Sequence, residues 1–387
     1  MSERLAASRW ALLAGNFAVG CGVMVIAGSL NDLTRSLQVS VALGGQLITI
    51  GAAVSCIGAP LAAGFIAGTD RRRLLALALA WYALGHALSA LAPSYAWLAP
   101  LRAVTMIGAA IFSPQAAAAI ATMAPPEQRG RAMTFVFLGW SVASVVGMPL
   151  HAYVAEAFGW RTAFALVALL STLAAIWVWS ALPDGVKPPK LSLAQWRLVF
   201  RQPVLMAIVV VTVFSGAGQF TLFSYFAPYY GQVLGAGAAE ISFMFFWFGA
   251  WGVVGNIVVT RMIDRVGAAR AVAVTLALMA VSLAAWPLGS SIAAMAIVQL
   301  GWALGCFASN SAQQARLALA APAWAPALLA LNTSAIYLGQ SIGAASGGAL
   351  VAAQRSYDAL HWVSLAWMAA AIALSVWAQG RMERALA

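Results

Sequence analysis

The chain has 387 residues, of which 63% are hydrophobic and 8% are charged, and its formal net charge is +11. Because a soluble domain carries about 25% charged residues, this composition argues against a soluble globular protein. The basic residues are split among short gaps between apolar segments and form no continuous stripe, which argues against nucleic-acid binding. The composition is that of a protein embedded in a lipid bilayer.

Twelve apolar segments follow one another along the chain, and a helix needs about 20 apolar residues to cross the hydrocarbon core. They cover residues 10–30, 42–66, 74–91, 97–121, 133–157, 162–182, 204–230, 241–263, 271–287, 291–312, 327–352 and 361–379. Transmembrane β-strands are excluded, because they have ~10 residues of alternating polarity and these segments are longer and uniformly apolar. The sequence therefore predicts an all-α integral membrane protein with twelve transmembrane helices.

The positions of Lys and Arg predict which side of the membrane each gap faces. Of these 21 residues, 17 lie in alternate gaps, whereas Arg35, Arg161 and Arg355 lie in the other gaps and Arg102 lies inside a span. Since Lys and Arg are retained on the cytoplasmic side of inserted helices, the basic gaps are expected to be cytoplasmic. Both termini are then cytoplasmic, in a multi-pass protein of the inner (plasma) membrane.

The longest gap has three prolines among its first seven residues and separates two halves of six spans each. The predicted domains are an N-terminal six-helix bundle at 1–182, a cytoplasmic linker at 183–203 and a C-terminal six-helix bundle at 204–387. The pair Asp70-Arg71 after the second span is repeated as Asp264-Arg265 after the eighth. Internal duplication is typical of secondary transporters, in which one bundle moves against the other around a mid-membrane site. We therefore expect two pseudo-symmetric bundles.

Four stretches carry motifs that, taken in order, resemble one large transporter family. Gly64–Arg73 lies between the second and third spans, and Arg102–Gly108 lies in the fourth. Gly139–Arg161 covers the fifth span and its outer end, and Asn332–Gly347 lies in the eleventh. Together they resemble the major facilitator superfamily, and more narrowly its twelve-helix drug:proton antiporters, in the branch of the arabinose- and nucleoside-efflux permeases. The resemblance covers nearly the whole chain and implies the two-bundle fold of that family.

Two positions depart from the pattern of that branch. His151 stands where the branch usually has a glycine after the proline region of the fifth span, and Arg72 stands where a glycine is common in the loop after the second span. The first departure bears on the substrate, because that helix face lines the cavity in relatives. The second is expected to change loop geometry only.

Three titratable or charged side chains of the N-terminal half are candidates for proton coupling. A charge inside a span costs at least ~3 kcal/mol, so Arg102 should face the bundle interior, although snorkelling to the outer interface is the alternative. Asp32 lies at the outer end of the first span, where burial would favour its neutral form and solvation its charged form. His151 carries an imidazole, which titrates near 6.5 when unperturbed, on a helix expected to face the cavity. His86 in the third span is expected to be a packed residue.

Charged residues of the cytoplasmic loops are candidates for an inner gate. A carboxylate there can accept hydrogen bonds from arginines and can lie against a helix N-terminus. We expect Arg129 and Arg131 to be the partners of Asp70, with a purely topological role for these charges as the alternative. The predicted gate comprises Gly64, Asp70, Arg71, Arg73, Arg129, Arg131, Asp264 and Arg265.

Polar and aromatic residues within the other spans are candidates for lining a substrate cavity, because in lipid they must face inward or bond to neighbours. The predicted set is Asn16, Gln115, His151, Gln219, Tyr225, Asn256, Gln299, Asn332 and Gln340. Glycines at four-residue spacing allow helices to approach closely, and a proline inside a helix predicts a kink. These residues are Gly139, Gly147, Pro149, Gly339, Gly343 and Gly347.

The chain contains no phosphate-binding loop, no metal-ligand spacing and no nucleophile–His–acid set, so we expect neither an enzyme nor a cofactor or metal site. The interpretation is a monomeric secondary active transporter that exports small drug- or sugar-like molecules in exchange for protons by alternating access. Charge inside the spans is expected only in the N-terminal half, which favours coupling there and substrate contacts in the other half. An uptake symporter or an uncoupled facilitator is the alternative, and a membrane sensor or integral-membrane enzyme is a further one.

Overall fold

The computed structural model describes residues 3–66, 68–125, 129–187, 193–354 and 356–386. Helix is the regular secondary structure of these residues. The helices are α1 (Glu3–Leu37), α2 (Val41–Phe65), α3 (Arg71–Ala90), α4 (Tyr95–Met123), α5 (Arg129–Val142), α6 (Met148–Phe158), α7 (Trp160–Ala181), α8 (Leu193–Phe200), α9 (Pro203–Phe223), α10 (Phe226–Gln232), α11 (Ala238–Val266), α12 (Ala268–Ala284), α13 (Ile292–Val298), α14 (Leu300–Ala320), α15 (Ala325–Gln354) and α16 (Leu360–Leu386).

Within the described residues, eleven helical segments are long and apolar enough to cross a membrane, and α12 is a shorter apolar helix of 17 residues. Every predicted span coincides with one of these twelve. Three spans are each divided between two helices, namely α5 with α6, α9 with α10, and α13 with α14. The predicted all-α membrane fold class is confirmed.

Proline accounts for two of the three interruptions. Pro149 has no N–H and its ring collides with the carbonyl four residues earlier, and the π-helical turn Ala143–Gly147 lies immediately before α6. Pro228 acts in the same way on Ser224, where α9 ends before α10 begins. The predicted kink of the fifth span therefore takes the form of one widened turn.

The chain divides into two compact units, Met1–Ser40 with Ile50–Lys190 and Val41–Thr49 with Leu191–Ala387. In the first unit, α1 packs against α5, α6 and α7, and α3 packs against α4 and α7. In the second, α9 packs against α15 and α16, and α14 packs against α11 and α12. The first turns of α2 belong to the second unit, where the Ser341 hydroxyl donates to the Thr49 carbonyl at 3.3 Å. The boundaries at 182 and 204 stay a prediction.

Helical glycines bring the first and fifth spans of each unit together. A Cβ added to Gly339 or Gly343 of α15 would lie 2.5 Å from the Val213 or Ala217 carbonyl oxygen of α9. In the first unit, a Cβ on Gly139 would collide with the Leu13 carbonyl of α1. Gly147 lies similarly close to α1, and Gly347 lies similarly close to α9. The same pair of spans thus makes a close backbone approach in both units.

Candidate functional site

Arg102 lies inside the first unit and hydrogen-bonds to the backbone of α1. Its side chain extends from α4 and only 2% of the residue is exposed. Nη1 donates to the Gly22 carbonyl at 2.8 Å and Nη2 donates to the Val23 carbonyl at 3.2 Å. The guanidinium also lies against α2, because a Cβ on Gly51 would be 3.0 Å from Nε. These bonds satisfy charged donors that would otherwise be costly in lipid.

Two side chains of α3 approach the same turn of α1. The Tyr82 hydroxyl donates to the Val19 carbonyl at 3.1 Å, and Nδ1 of His86 lies 3.0 Å from the Tyr82 carbonyl. A Cβ on Gly22 would lie 2.8 Å from Nε2 of His86. Gly22 therefore permits the contact between Arg102, His86 and α1. The one signal in the sequence for this arrangement is that Arg102 and His86 are polar residues within otherwise apolar spans.

Asp32 joins the outer end of α1 to the start of α7. Oδ2 accepts a hydrogen bond of 2.7 Å from the Trp160 backbone N–H, and Oδ1 forms an ion pair of 2.8 Å with Arg35. The side chain is 14% exposed. A carboxylate at this position satisfies a terminal N–H and is stabilised by the helix dipole. Asp32 thus connects the end of α1 to the start of α7 through the Trp160 N–H and pairs with Arg35 of its own helix.

His151 is fully buried on α6. Neither ring nitrogen has a hydrogen-bond partner within the described part of the chain. Next to it, Ala152 packs against Gly28 of α1, where an added Cβ would lie 3.3 Å from the Ala152 backbone nitrogen. An imidazole with both nitrogens unpaired in an apolar environment is costly, so its retention calls for an explanation beyond packing.

Each unit contains a cluster of polar side chains centred on one asparagine. In the first unit, Asn16 of α1 donates to the Val136 carbonyl at 3.1 Å and accepts from the Ser113 hydroxyl at 2.7 Å. In the second, Asn332 of α15 accepts from Thr212 at 2.6 Å and donates to Asn310 at 3.1 Å. Both asparagines are fully buried. Each cluster joins the first, fourth and fifth spans of its unit, which matches the expected duplication.

Two further residues of the predicted cavity are engaged within the second unit. Gln299, between α13 and α14, accepts a hydrogen bond of 2.6 Å from the Tyr230 hydroxyl, and the Tyr225 hydroxyl donates to the Ala344 carbonyl at 2.8 Å. The remaining members are buried or partly buried on α4, α9, α11 and α15. They are Gln115, Gln219, Asn256 and Gln340.

The loop before α3 is bonded to the start of the linker. Asp70 caps α3 by accepting from the Arg73 backbone N–H at 3.3 Å, and its second oxygen accepts from the Gly185 backbone N–H. The Arg71 N–H donates to the Val186 carbonyl at 3.0 Å, and its buried guanidinium donates to the Thr69 carbonyl at 2.9 Å. Arg73 and Arg265 are exposed. The side chains of Arg129, Arg131 and Asp264, and the surroundings of Gly64, lie outside the described residues.

Arg72, which departs from the pattern of the resembling branch, makes contacts that hold the linker. Its Nη1 forms an ion pair of 2.9 Å with Asp184, and its Nε donates to the Trp179 carbonyl at 2.7 Å. The guanidinium also lies over the Trp179 ring, 4.8 Å from its centre. We define the linker clasp as these contacts together with those of Asp70 and Arg71 to Gly185 and Val186.

The second unit contains a buried charge that the sequence reading placed in a cytoplasmic gap. The predicted tenth span ends at residue 312, but α14 continues to Ala320 and carries Arg316 inside the protein, 3% exposed. Nη1 donates to the Ser375 hydroxyl at 2.8 Å, and Nη2 donates to the Ser375 carbonyl at 3.1 Å. The expectation that charge occurs within the spans of the N-terminal half only is therefore wrong. Periodicity could have revealed it, since Gln313 and Arg316 lie on one helix face.

No group of three or more His, Cys, Asp or Glu side chains arranged for a metal ion occurs in the described ranges. The asparagine-centred polar groups are instead hydrogen-bonded to one another in small clusters. Amide and hydroxyl groups of this kind can bind neutral polar molecules by exchanging hydrogen-bond partners.

The chain is similar in sequence to known bacterial transporters. The chain is 28% identical over 365 residues to the MFS-type transporter YbcL of Bacillus subtilis (strain 168), and the match covers 93% of each protein. It is 28% identical over 349 residues to the inner membrane transport protein YdhP of Escherichia coli (strain K12), with 90% of each covered.

Solved structures share the fold at low sequence identity. The D-xylose-proton symporter superposes with a TM-score of 0.79 at 16% identity, covering 97% of both chains. An inward-facing, occupied bacterial homolog of the human lysosomal transporter Spinster gives 0.76 at 16% identity, covering 98% of this chain and 97% of that one. A sequence model of the Major Facilitator Superfamily matches residues 12–344. The chain therefore belongs to the Major Facilitator Superfamily and is a multi-pass membrane transporter rather than an enzyme.

Proposed function

We propose that the protein is a proton-coupled exporter of small drug- or sugar-like molecules, which works as a monomer in the bacterial inner membrane by alternating access. One observation carries the proposal. Arg102 and His151 are both buried in the first unit, and His86 lies within electrostatic range of each of them. A group of buried basic side chains is the kind of feature that marks proton pathways in membrane proteins.

His151 is the proton carrier of this proposal. It is neutral where it is buried without a partner, and it can take up a proton when the cavity next to it opens to water. The charged imidazole then repels Arg102, which weakens the bonds between Arg102 and α1. Asp32 contributes by bonding the outer end of α1 to the start of α7. A movement of α1 is therefore passed on to α7.

The predicted cavity residues of the second unit supply the substrate contacts. Gln340 is a buried polar side chain, and Asn256 and Gln219 are partly buried ones. They suit a molecule with hydroxyl or amide groups and an apolar body. Asn16, Asn332 and Gln299 contribute by holding the spans around this cavity.

The cytoplasmic loops form the gate in this proposal. Asp70 is fixed at the start of α3, and Arg129 and Arg131 are its proposed partners from the loop before α5. Asp264 with Arg265 is the corresponding pair of the second half. Breaking these pairs would open the inner mouth, with both termini on the cytoplasmic side as the charge pattern predicts.

A proton-coupled uptake symporter is the second candidate, because the structural neighbour with a TM-score of 0.79 is a D-xylose-proton symporter. Export is preferred here on the antiporter motif of the fifth span, Gly139 to Pro149, whose π-helical turn packs against α1. An uncoupled facilitator would leave the buried basic group without a role.

The test is transport in inverted membrane vesicles with an imposed pH gradient, using ethidium and radiolabelled arabinose as drug-like and sugar-like probes. Gradient-driven accumulation of either probe, lost in His151→Gln and Arg102→Gln and kept in His361→Gln, is the expected result. His361 is the matched control, because it is also a buried histidine but lies on α16 of the second unit. Equilibration of a probe at a rate that does not depend on the gradient would establish the facilitator, and gradient-driven loss of probe would establish the symporter.

A further inference from the structure

One ring nitrogen of His86 is hydrogen-bonded, and the other has no hydrogen-bond partner in the described part of the chain. Nδ1 lies 3.0 Å from the Tyr82 carbonyl, four residues earlier on the same helix. A carbonyl oxygen only accepts hydrogen bonds, so this contact places the proton of the neutral ring on Nδ1. Nε2 then carries the lone pair, and it has no hydrogen-bond partner among the described residues. The residue is 1% exposed.

The Gly22 carbonyl is the acceptor that Nε2 approaches. This carbonyl already accepts from Arg102 Nη1 at 2.8 Å, and within α1 it accepts the backbone N–H four residues later. A carbonyl oxygen has two lone pairs, so these two bonds use its capacity. A protonated Nε2 would be a third donor, and it would also add a second positive charge beside the guanidinium.

We propose that Nε2 of His86 is a proton-binding site that competes with Arg102 for the Gly22 carbonyl. This inference rests on the proposed proton coupling and adds to it the residue that positions Arg102. Proton uptake by Nε2 turns it from an acceptor into a donor, and the new N–H bonds to Gly22 while Arg102 Nη1 leaves. Proton loss restores the arrangement of the present structure.

The groups around His86 allow this competition. Tyr82 of the same helix uses its hydroxyl on Val19 of α1, and its ring contacts the imidazole with 4.4 Å between ring centres. From α7 the neighbour is the apolar ring of Phe164, 5.7 Å away. The charged or titratable groups that act on His86 are Arg102 from α4 and His151 from α6. Both are basic, so protonation of His86 is felt directly as repulsion of Arg102.

The chain offers a direct measurement, since it contains three histidines. The full-length protein is labelled with 15N-histidine and titrated in detergent, and the signals are assigned with His151→Gln and His361→Gln. At high pH, His86 is expected as the neutral ring with its proton on Nδ1, and on acidification it becomes the imidazolium. Two results would overturn the proposal: a neutral His86 ring with its proton on Nε2, or a His86 ring that stays neutral until the protein unfolds. Neither measurement requires a substitution of His86.

Hydrogen exchange of α1 tests the competition itself. Amide exchange of residues 19–27, corrected for the intrinsic effect of pH, should increase as His86 becomes charged, because Arg102 Nη1 then releases the Gly22 carbonyl and the repulsion between the two charges weakens the contact of Arg102 with α1. The increase should be lost in Arg102→Gln and in His86→Asn. The asparagine amide can still donate to the Tyr82 carbonyl but has no basic nitrogen, and His361→Gln is the control. An increase that persists in His86→Asn would contradict the proposal.

Transport separates this inference from the proposed function. If the wild type shows gradient-driven accumulation and His86→Asn transports at the same gradient-driven rate, the role of His86 is refuted and proton-coupled export stands. If the wild type ignores the gradient, the proposed function fails and so does any coupling role of His86. If His86→Asn still transports the probe but no longer responds to the pH gradient, the result supports both proton-coupled export and the role of His86.

Discussion

The carboxylate of Asp70 accepts a hydrogen bond from the backbone N–H of Gly185, 115 residues later in the chain. Gly185 has a φ of +85°, a left-handed conformation that glycine adopts without strain. The same carboxylate caps α3 through the Arg73 N–H. One side chain therefore fixes both the start of the third span and the start of the linker, and the neighbouring residues Arg71 and Arg72 complete the linker clasp.

Substitution of Arg72 by glycine, the residue common in the resembling family, should loosen the linker clasp. The ion pair with Asp184 and the bond to the Trp179 carbonyl are both lost. Because Asp184 is 66% exposed, the cost in free energy of unfolding should stay below about 1 kcal/mol. The measurable effect is local, namely faster proteolysis and amide exchange at residues 183–187. The control is Arg73→Gly, because Arg73 is the next residue in the chain and its side chain is exposed. This variant should leave the rates of proteolysis and amide exchange at residues 183–187 unchanged.

Substitution of Asp70 by alanine should cost more than substitution by asparagine. Alanine removes the cap of α3, which is worth about 1 kcal/mol, whereas asparagine keeps one acceptor oxygen for the Arg73 N–H and loses only the bond to the Gly185 N–H. Thermal unfolding of the purified protein should therefore rank wild type first, Asp70→Asn second and Asp70→Ala last. Equal melting temperatures for the two variants would show that capping does not contribute.

Substitution of Arg316 by methionine should destabilise the second unit. The change removes the two hydrogen bonds to Ser375 on α16, and the contact of 3.3 Å with Gln379. Bonds to a charged donor are worth about 1.5–3 kcal/mol each in net terms, partly offset here by the desolvation of the guanidinium that methionine avoids. We expect a net loss of about 1–3 kcal/mol, measured by denaturant titration. Arg270→Met, at an exposed position, is the control and should be neutral.

Substitution of Gly343 by alanine should separate α15 from α9. The new Cβ would lie 2.5 Å from the Ala217 carbonyl oxygen and 2.8 Å from the Thr221 nitrogen, both of which are backbone atoms that cannot move aside. The expected cost is about 1–3 kcal/mol. At Gly380 of α16 the nearest atom to a new Cβ is the flexible Arg384 terminus at 3.8 Å, so Gly380→Ala should stabilise by about 0.5–1 kcal/mol. The opposite signs would separate helix packing from helix propensity.

Hydropathy and the positions of basic residues predicted the number, order and length of the spans, because the bilayer imposes both constraints on every helix independently. The glycine spacing in α15 likewise predicted a close helix contact, since small residues are needed wherever two backbones approach. The end of the tenth span was misplaced because Arg316 looked like a loop charge. Its partners on α16 are distant in sequence, and no local pattern reports them.

The amino-acid sequence by itself determined the all-α membrane fold, the family and the two-fold repetition of the chain, since these follow from local composition and spacing. Only the tertiary structure decided which atoms each polar side chain bonds. Asp32 was a candidate for proton coupling with a solvated helix end as the alternative, and the structure bonds it to Trp160 and Arg35. His86 was predicted as a packed residue, and the structure places its Nε2 beside Gly22, whose carbonyl accepts from Arg102. Hydrogen bonds depend on distances of tenths of an ångström between residues far apart in the chain, and these distances arise only when the helices have packed.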